Sequence, residues 1–243
     1  MKTCFKISLS IGLLFIWIGL TSYRQSPVFH KKDLLGKLDP SEHKDFQRVP
    51  SKFAAKSEEY LRHDALQAFL KMAEAAKKAG FDLVIVSGTR NYDYQLGIWN
   101  RKWENLSGKA EARAKSITAY SSMPGTSRHH WGTDIDIYSV DPAAFEGGYG
   151  ARLYAWLDAH AWEYGYFQPY KNERAGRKGY KDEKWHWSYY PTASKLLKAF
   201  NKAVNETDIH GFDGAELYEK LQIKTHYVNG IENDSRLATS RFF

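Results

Sequence analysis

The sequence predicts an α+β fold, a small and mainly antiparallel sheet flanked by helices. Two observations carry this. Helical and strand-like patterns interleave along the chain, and the strand-like runs are few and short, which argues against a doubly wound parallel sheet. A third observation sets the scale. The 243 residues suit one domain with appendages, and 43% apolar with 15% aromatic residues is a globular composition. No internal repeat or low-complexity tract is present.

Residues 1–26 stand apart. Lys2 and Lys6 lead into ISLSIGLLFIWIGL, about fourteen mostly apolar residues, followed by TSYRQSP. A basic start and a short apolar run read as a secretory signal. The run is short for a membrane span, which takes roughly twenty residues. Leu20-Thr21-Ser22 is nevertheless a poor cleavage site, so an uncleaved membrane anchor stays open beside a cleaved signal. The expected location is therefore exported, periplasmic or cell-envelope. Cys4, the sole cysteine, lies inside this segment. A mature chain without it has no disulfide, no thiol nucleophile and no cysteine-based metal site.

Residues 27–56 read as an extended lead-in. SEEYLRHDALQAFLKMAEAAKKAG (57–80) predicts an amphipathic helix with Ser57 as cap, Leu66, Phe69, Leu70, Ala73 and Ala76 on one face, and Gly80 as stop. FDLVIVS (81–87) predicts a buried strand. A second helix is expected near Tyr94–Trp103, then a long polar loop over 105–127 with at most one helical turn. DIDIY (134–138) alternates as a strand, with Asp134 and Asp136 on one face and Ile135 and Ile137 on the other. Residues 151–165 predict a helix ended by Gly165, 171–183 a charged loop, and 184–190 a strand. Thr192 is expected to cap a helix to about Val204. The domain thus spans 57–204, with 205–243 a C-terminal extension packed on it. In that extension a short helix is expected near 213–221 and a hairpin around Asn229-Gly230.

The net charge of +7 favours anionic partners. Lys and Arg are scattered with no dense run, which argues against nucleic acid and leaves anionic cell-wall polymers. Nothing in the sequence specifies an oligomeric state.

The chemistry concentrates in two stretches. His129 precedes Asp136 in HHWGTDID, and EKWHW supplies Glu183 and His186. Two neutral imidazoles and a carboxylate are a catalytic zinc set that leaves a position open, although the same set also suits iron. Glu183, three residues before His186, reaches an attacking water as a base if the strand is bent or bulged. Taken singly, each histidine reads equally well as a surface or hydrogen-bonded core residue. Trp185 and Trp187 are expected to pack on the face away from His186, and Trp131 to line the pocket. The aromatics at 92, 94, 99 and 103 read as core.

Ser127-x-His129-x-x-Gly132-x-x-x-Asp136, followed by Glu183-x-Trp185-His186, resembles the signature of the LAS zinc peptidases, the group that includes VanY-type D-alanyl-D-alanine carboxypeptidases. SGTR (87–90), NYDYQ (91–95) and the Pro-Gly-Thr-Ser lead-in at 124–127 resemble further elements of that family. The resemblance covers roughly residues 55–200. It implies a hedgehog/DD-peptidase-like fold and one zinc ion (Zn2+) per chain, held by His129, Asp136 and His186, with Glu183 as base. It also implies Arg90 facing the substrate, Gln95 and Ser127 contacting the peptide, and peptidoglycan stem peptides as substrate. The reaction it implies is removal of a terminal D-alanine. An endopeptidase or dipeptidase on the same site, or a wall-binding module without catalysis, are the alternatives. One departure stands out. Where the family often has alanine, this chain has Asp134, which reads either as a group steadying a ligand imidazole or as a solvated rim residue. His130 is expected not to be a ligand, and Gly132 to serve backbone shape.

Overall fold

The computed structural model describes residues 29–171, 176–232 and 234–238. The expected signal or anchor, 1–26, lies outside them. Helices are α1 (Lys31–Leu34), α2 (His63–Lys78), α3 (Tyr92–Glu104), α4 (Ala110–Thr118), α5 (Gly148–His160), α6 (Tyr190–Ala203) and α7 (Ser235–Ala238). Strands β1 (Phe46–Arg48) and β2 (Tyr60–Arg62) form an antiparallel pair. Strands β3 (Ile85–Ser87), β4 (Asp134–Ile137), β5 (Tyr166–Phe167) and β6 (His186–Tyr189) form a four-stranded sheet in the order β3-β4-β6-β5. Every pairing in it is antiparallel, as the short, interleaved strands imply. Among the described residues no helix is long and apolar enough to cross a membrane.

The register of β4 against β6 organises the molecule. Asp134 pairs with Ser188, Ile135 with Trp187, and Asp136 with His186. Alternation sends Ile135 and Trp187 to one face, where they join Ile85, Ile137, Leu66, Phe69, Met72, Leu153 and Leu157 in a core under α2 and α5. The polar partners share the opposite face. A second apolar cluster binds α1, α3, α4 and α6 to the C-terminal segment, through Leu34, Trp99, Trp103, Trp131, Phe200, Ile209, Tyr218 and Val228.

Several boundaries differ from expectation for identifiable reasons. The 57–80 helix starts only at His63, because Tyr60–Arg62 is drawn into pairing with Phe46–Arg48, and Ser57 caps nothing there. Its stop is as read, with Gly80 at a φ of 87°. The expected strand 81–87 shortens to Ile85–Ser87. The second helix is longer than read and begins at Tyr92, because the Asn91 side chain accepts the Tyr94 N–H at 2.9 Å. The polar loop holds a true helix, α4, whose Ala114 and Ile117 are buried. Thr192 sits inside α6, not at its cap, and bonds the Asp64 carboxylate instead, while Pro191 opens the helix. The region expected as a helix near 213–221 and then a hairpin holds a short 3-10 turn, Ala215–Leu217, and a wide helical turn, Ile223–Val228. No strand occurs there among the described residues.

Gly132 ends the short 3-10 turn Arg128–Trp131 with a φ of 72°, and its carbonyl accepts the Arg62 N–H at 2.8 Å. A Cβ there would lie 2.3 Å from the Phe46 ring. Gly132→Ala is therefore expected to cost at least about 1–2 kcal/mol from the left-handed backbone alone, read as a lower urea midpoint at unchanged slope.

Candidate metal centre

Three elements deliver the expected ligands to one point. His129 rides on the turn Arg128–Trp131, whose first N–H groups are capped by the Ser127 hydroxyl, which accepts the His129 N–H at 3.3 Å. Asp136 and His186 face each other across β4 and β6. His129 Nε2 lies 3.3 Å from His186 Nδ1, and Asp136 Oδ1 lies 3.4 Å and 3.3 Å from these two nitrogens. All three side chains are buried, and their ligand atoms lie within 4.8 Å of one another.

The outward nitrogens of both rings are committed. His129 Nδ1–H donates to the Gly88 carbonyl at 2.8 Å, and His186 Nε2–H donates to Asp134 Oδ1 at 2.9 Å. In its neutral form each ring turns the remaining nitrogen's lone pair inward, toward the other ring and toward a carboxylate oxygen. Asp136 Oδ1 is buried and has no hydrogen-bond donor among the described residues. Held this close, the three groups need a shared positive charge, either a proton on His186, which the surrounding carboxylates favour, or a divalent cation held by all three. The residues fit a metal with two imidazole and one carboxylate ligands.

Charges around the point are strongly coupled. Burial pushes the Glu183 carboxyl up, against the opposing pull of His186. Burial and Arg90 push the His129 imidazole down. Burial alone would lower His186, but Asp134, Asp136 and Glu183 around it outweigh that and raise it well above its ordinary value.

Asp134 is a buried support, not a rim residue. Besides the His186 N–H, its carboxylate accepts from Arg128 Nε at 3.0 Å, Thr133 Oγ1 at 2.6 Å and Ser188 Oγ at 3.0 Å. Burial alone would raise its pKa, and Arg128 with His186 and His129 holds it below the usual carboxylate range. Arg128 is itself buried and also donates through Nη2 to Ser188 Oγ at 2.6 Å. Sequence reasoning missed Arg128. The only available signal was a second uncommon charge six residues before Asp134, which spacing alone does not pair.

Glu183 is buried, with Oε2 3.4 Å from His186 Nδ1. A tight turn brings it there, not a strand bulge: the His186 N–H donates back to the Glu183 carbonyl at 3.1 Å. Arg90 points its Nη1 at Asp136 Oδ2 from 3.8 Å. It also lines a cavity of about 510 Å³, together with Asp39, Lys56, Glu58, Thr89 and Tyr94, to which none of the three converging ligands contributes. Gln95 is fully buried, and its Nε2 donates to the Ser122 carbonyl at 2.8 Å. Ser127 is buried at the cap described above.

His130 is not among the converging ligands. It is buried, its pKa pushed down to about 3 by burial, and it ties the Arg90 carbonyl (2.6 Å) to the Gly125 N–H (3.1 Å). Trp131 corrects an expectation: it is 1% exposed in the second core cluster and does not line the pocket. Trp187 packs in the core as read, while Trp185 lies against Tyr120 and Phe145. Of the four aromatics read as core, Trp99 and Trp103 are, Tyr92 is half-buried, and Tyr94 is exposed at the cavity.

An antiparallel sheet and the turn Arg128–Trp131 together present two imidazoles and a carboxylate to one buried point, with a buried glutamate beside it, which is the residue set of a mononuclear metallopeptidase. Residues 58–192 match the VanY family model, D-alanyl-D-alanine carboxypeptidase, and that is more than half of the chain: the protein belongs to the VanY family. It is 34% identical to YodJ of Bacillus subtilis over 150 residues, 60% of this chain and 53% of YodJ. It is 29% identical to a D-alanyl-D-alanine carboxypeptidase of Enterococcus faecalis over 120 residues, 48% of this chain and 43% of that protein. The chain thus spans about half the length of the curated relatives it matches. Among solved structures, the LdcB LD-carboxypeptidase superposes with a TM-score of 0.52 at 25% identity, over 76% of this chain and 81% of that one.

Two outcomes test the centre. Asp134→Ala is expected to weaken divalent-metal affinity about 10–100-fold, measured by competition with a chromophoric chelator. Arg128→Met leaves Asp134 buried without its counter-charge. It is expected to cost the metal-free protein about 3–5 kcal/mol in urea denaturation, and an unchanged midpoint would mean the pair is not the anchor it looks to be.

Proposed function

We propose that the protein is a zinc-dependent carboxypeptidase that removes the terminal D-alanine from peptidoglycan stem peptides. The observation that carries this reading is the convergence of His129 Nε2, His186 Nδ1 and Asp136 Oδ1 beside the Glu183 carboxylate, in a chain of the VanY family. His129, Asp136 and His186 would hold the ion. When bound, zinc supplies Lewis acidity, polarising the scissile carbonyl and lowering the pKa of the attacking water.

The chain's own groups do the rest. Glu183 Oε2 takes the proton of the water as its oxygen bonds to the carbonyl carbon. It then hands that proton to the amide nitrogen as the C–N bond breaks, so the departing alanine leaves with a neutral amine. Burial raises the proton affinity of the Glu183 carboxylate, which strengthens it as the base that takes the water's proton. Arg90 lies between the cluster and the cavity, and its fixed, forked charge suits the terminal carboxylate or the developing oxyanion. Gln95 and Ser127, read from the sequence as peptide contacts, are buried and support the site instead, Gln95 through the Ser122 carbonyl and Ser127 by seating the His129 turn. Export follows from Lys2, Lys6 and the apolar run after them, with a membrane tether if that run is retained.

A second reading keeps the site and changes the bond. The likeness to an LD-carboxypeptidase favours a stem tetrapeptide, whose single D-alanine follows an L-configured centre of the preceding residue. The test follows purified protein on a pentapeptide ending in D-Ala-D-Ala and on the tetrapeptide, by mass spectrometry, with and without chelator. Loss of one alanine from the pentapeptide, only with metal, is expected. Glu183→Ala should lower kcat about 10²–10⁴-fold with metal still bound. Trimming of the tetrapeptide alone would favour the second reading. No cleavage of either by metal-loaded protein would sink both.

A further inference from the structure

The family-matched segment ends at residue 192, yet the stretch leading to Glu183 is held by residues well beyond it. Residues 176–183 run between the end of α4 and the C-terminal segment. On one side, the Lys181 N–H donates to the Ala119 carbonyl at 3.0 Å. On the other, the wide turn Ile223–Val228 and the residues after it press directly on the loop. The contact is backbone against backbone. A Cβ on Gly230 would lie 1.8 Å from the His226 carbonyl oxygen and 2.5 Å from that of Lys178, and one on Gly179 would lie 2.0 Å from the His226 oxygen. Only glycine admits such an approach. The Glu232 N–H closes the clasp on the Pro169 carbonyl at 2.8 Å.

Side chains extend the clasp inward to the metal centre. The Tyr227 ring stands edge-on to Tyr180 at 5.1 Å, and the Tyr227 hydroxyl takes a hydrogen bond from Thr118 at 3.2 Å. Tyr180 packs on Tyr170 at 4.6 Å, and Tyr170 packs on the His186 imidazole at 4.8 Å. The Tyr180 hydroxyl donates to Ser122 at 2.8 Å, and the Glu183 N–H donates to the Tyr170 carbonyl at 3.0 Å. Tyr170 and Tyr180 are buried, so this train of rings has little room to shift. The outer end is anchored, because Ile223 and Val228 are buried in the same cluster as Trp99 and Trp131. Wide helical turns of this kind are rare and concentrate at functional sites.

We propose that residues 223–232 are a brace for the active centre. They fix the loop that carries Glu183, so that the base keeps its distance to His186, and Tyr227 and Gly230 are positioning residues for Glu183. His129 and Asp136 are seated by other elements, and His186, although Tyr170 packs on it, is held by its pairing with Asp136 and its bond to Asp134, so the brace governs the base more than metal retention. The proposal rests on the reading of Glu183 as the base, and its test separates the two.

Tyr227→Ala, Tyr227→Phe and Gly230→Ala would be made in the full chain. Hydrogen exchange of the Lys181 and Glu183 amides, zinc affinity by chelator competition, and kcat and KM on the stem peptide would be measured well below the melting temperature. Tyr227→Ala and Gly230→Ala are expected to speed exchange at 181 and 183 at least about tenfold while β4 stays protected. They should leave zinc affinity within about threefold and lower kcat about 10–100-fold at nearly constant KM, as a displacement near 1 Å does. Tyr227→Phe keeps the ring and is expected to restore kcat. Unchanged exchange at 181 and 183, or a rise spread equally over β4, would overturn the brace, as would wild-type kcat in Tyr227→Ala. If Gly230→Ala does not fold, the Tyr227 pair decides. If wild type cleaves no stem peptide, the proposed function fails, and the brace is judged on exchange and zinc affinity alone.

Discussion

A buried ion pair stands behind the metal centre, and the rest of the site depends on it. Arg128 and Asp134 are both inaccessible and meet at 3.0 Å. An isolated charge at that depth would neutralise itself or unfold its surroundings. Paired, and shared with Thr133 and Ser188, the Asp134 carboxylate stays ionised and accepts the His186 Nε2–H. That one hydrogen bond decides which nitrogen of His186 faces inward. The Gly88 carbonyl does the same for His129 with no charge at all. Both rings are therefore oriented by groups that lie outside the candidate metal site.

The sheet gives these bonds their precision. Asp134 opposite Ser188 and Asp136 opposite His186 are successive same-face pairs across β4 and β6. Their neighbours Ile135 and Trp187 are locked into the core beneath. A one-residue slip would exchange the two faces and send the ligands into the hydrocarbon side, so the cost of exposing that core enforces the register. The chemistry is held by a packing constraint on the opposite face of the same two strands.

Segments outside the family-matched residues complete the centre from both ends. At the N-terminal side, the Gly36 backbone lies against the His130 ring, and a Cβ on it would fall 2.3 Å from His130 Nδ1. His130 in turn ties down the Arg90 carbonyl. At the C-terminal side, the clasp around Gly179 and Gly230 bears on the Glu183 loop. Arg90 and Glu183, the two groups read as acting on substrate, are each steadied by such a segment. His129, Asp136 and His186 are seated within the family-matched residues themselves.

The α+β class, the alternation of Asp134 and Asp136 with Ile135 and Ile137, and the family signature were all legible along the chain. These are local facts: period-two patterning and short motifs survive without knowledge of distant partners. The same locality explains its failures. The start of α2 was lost to Phe46–Arg48, a strand some fifteen residues earlier that captures Tyr60–Arg62. Trp131 looked like a pocket wall because His129 lies two residues before it, but a 3-10 turn points it into the second core cluster. Whether Asp134 was a support or a rim residue depended on whether a counter-charge lay within reach, and Arg128 qualifies only after the turn at Gly132 folds the chain back. That His129, Asp136 and His186 belong together was legible in the chain. How they are held, by Arg128, the Gly88 carbonyl and the C-terminal clasp, was decided by tertiary packing, because those bonds join groups whose separation in sequence carries no periodic signal.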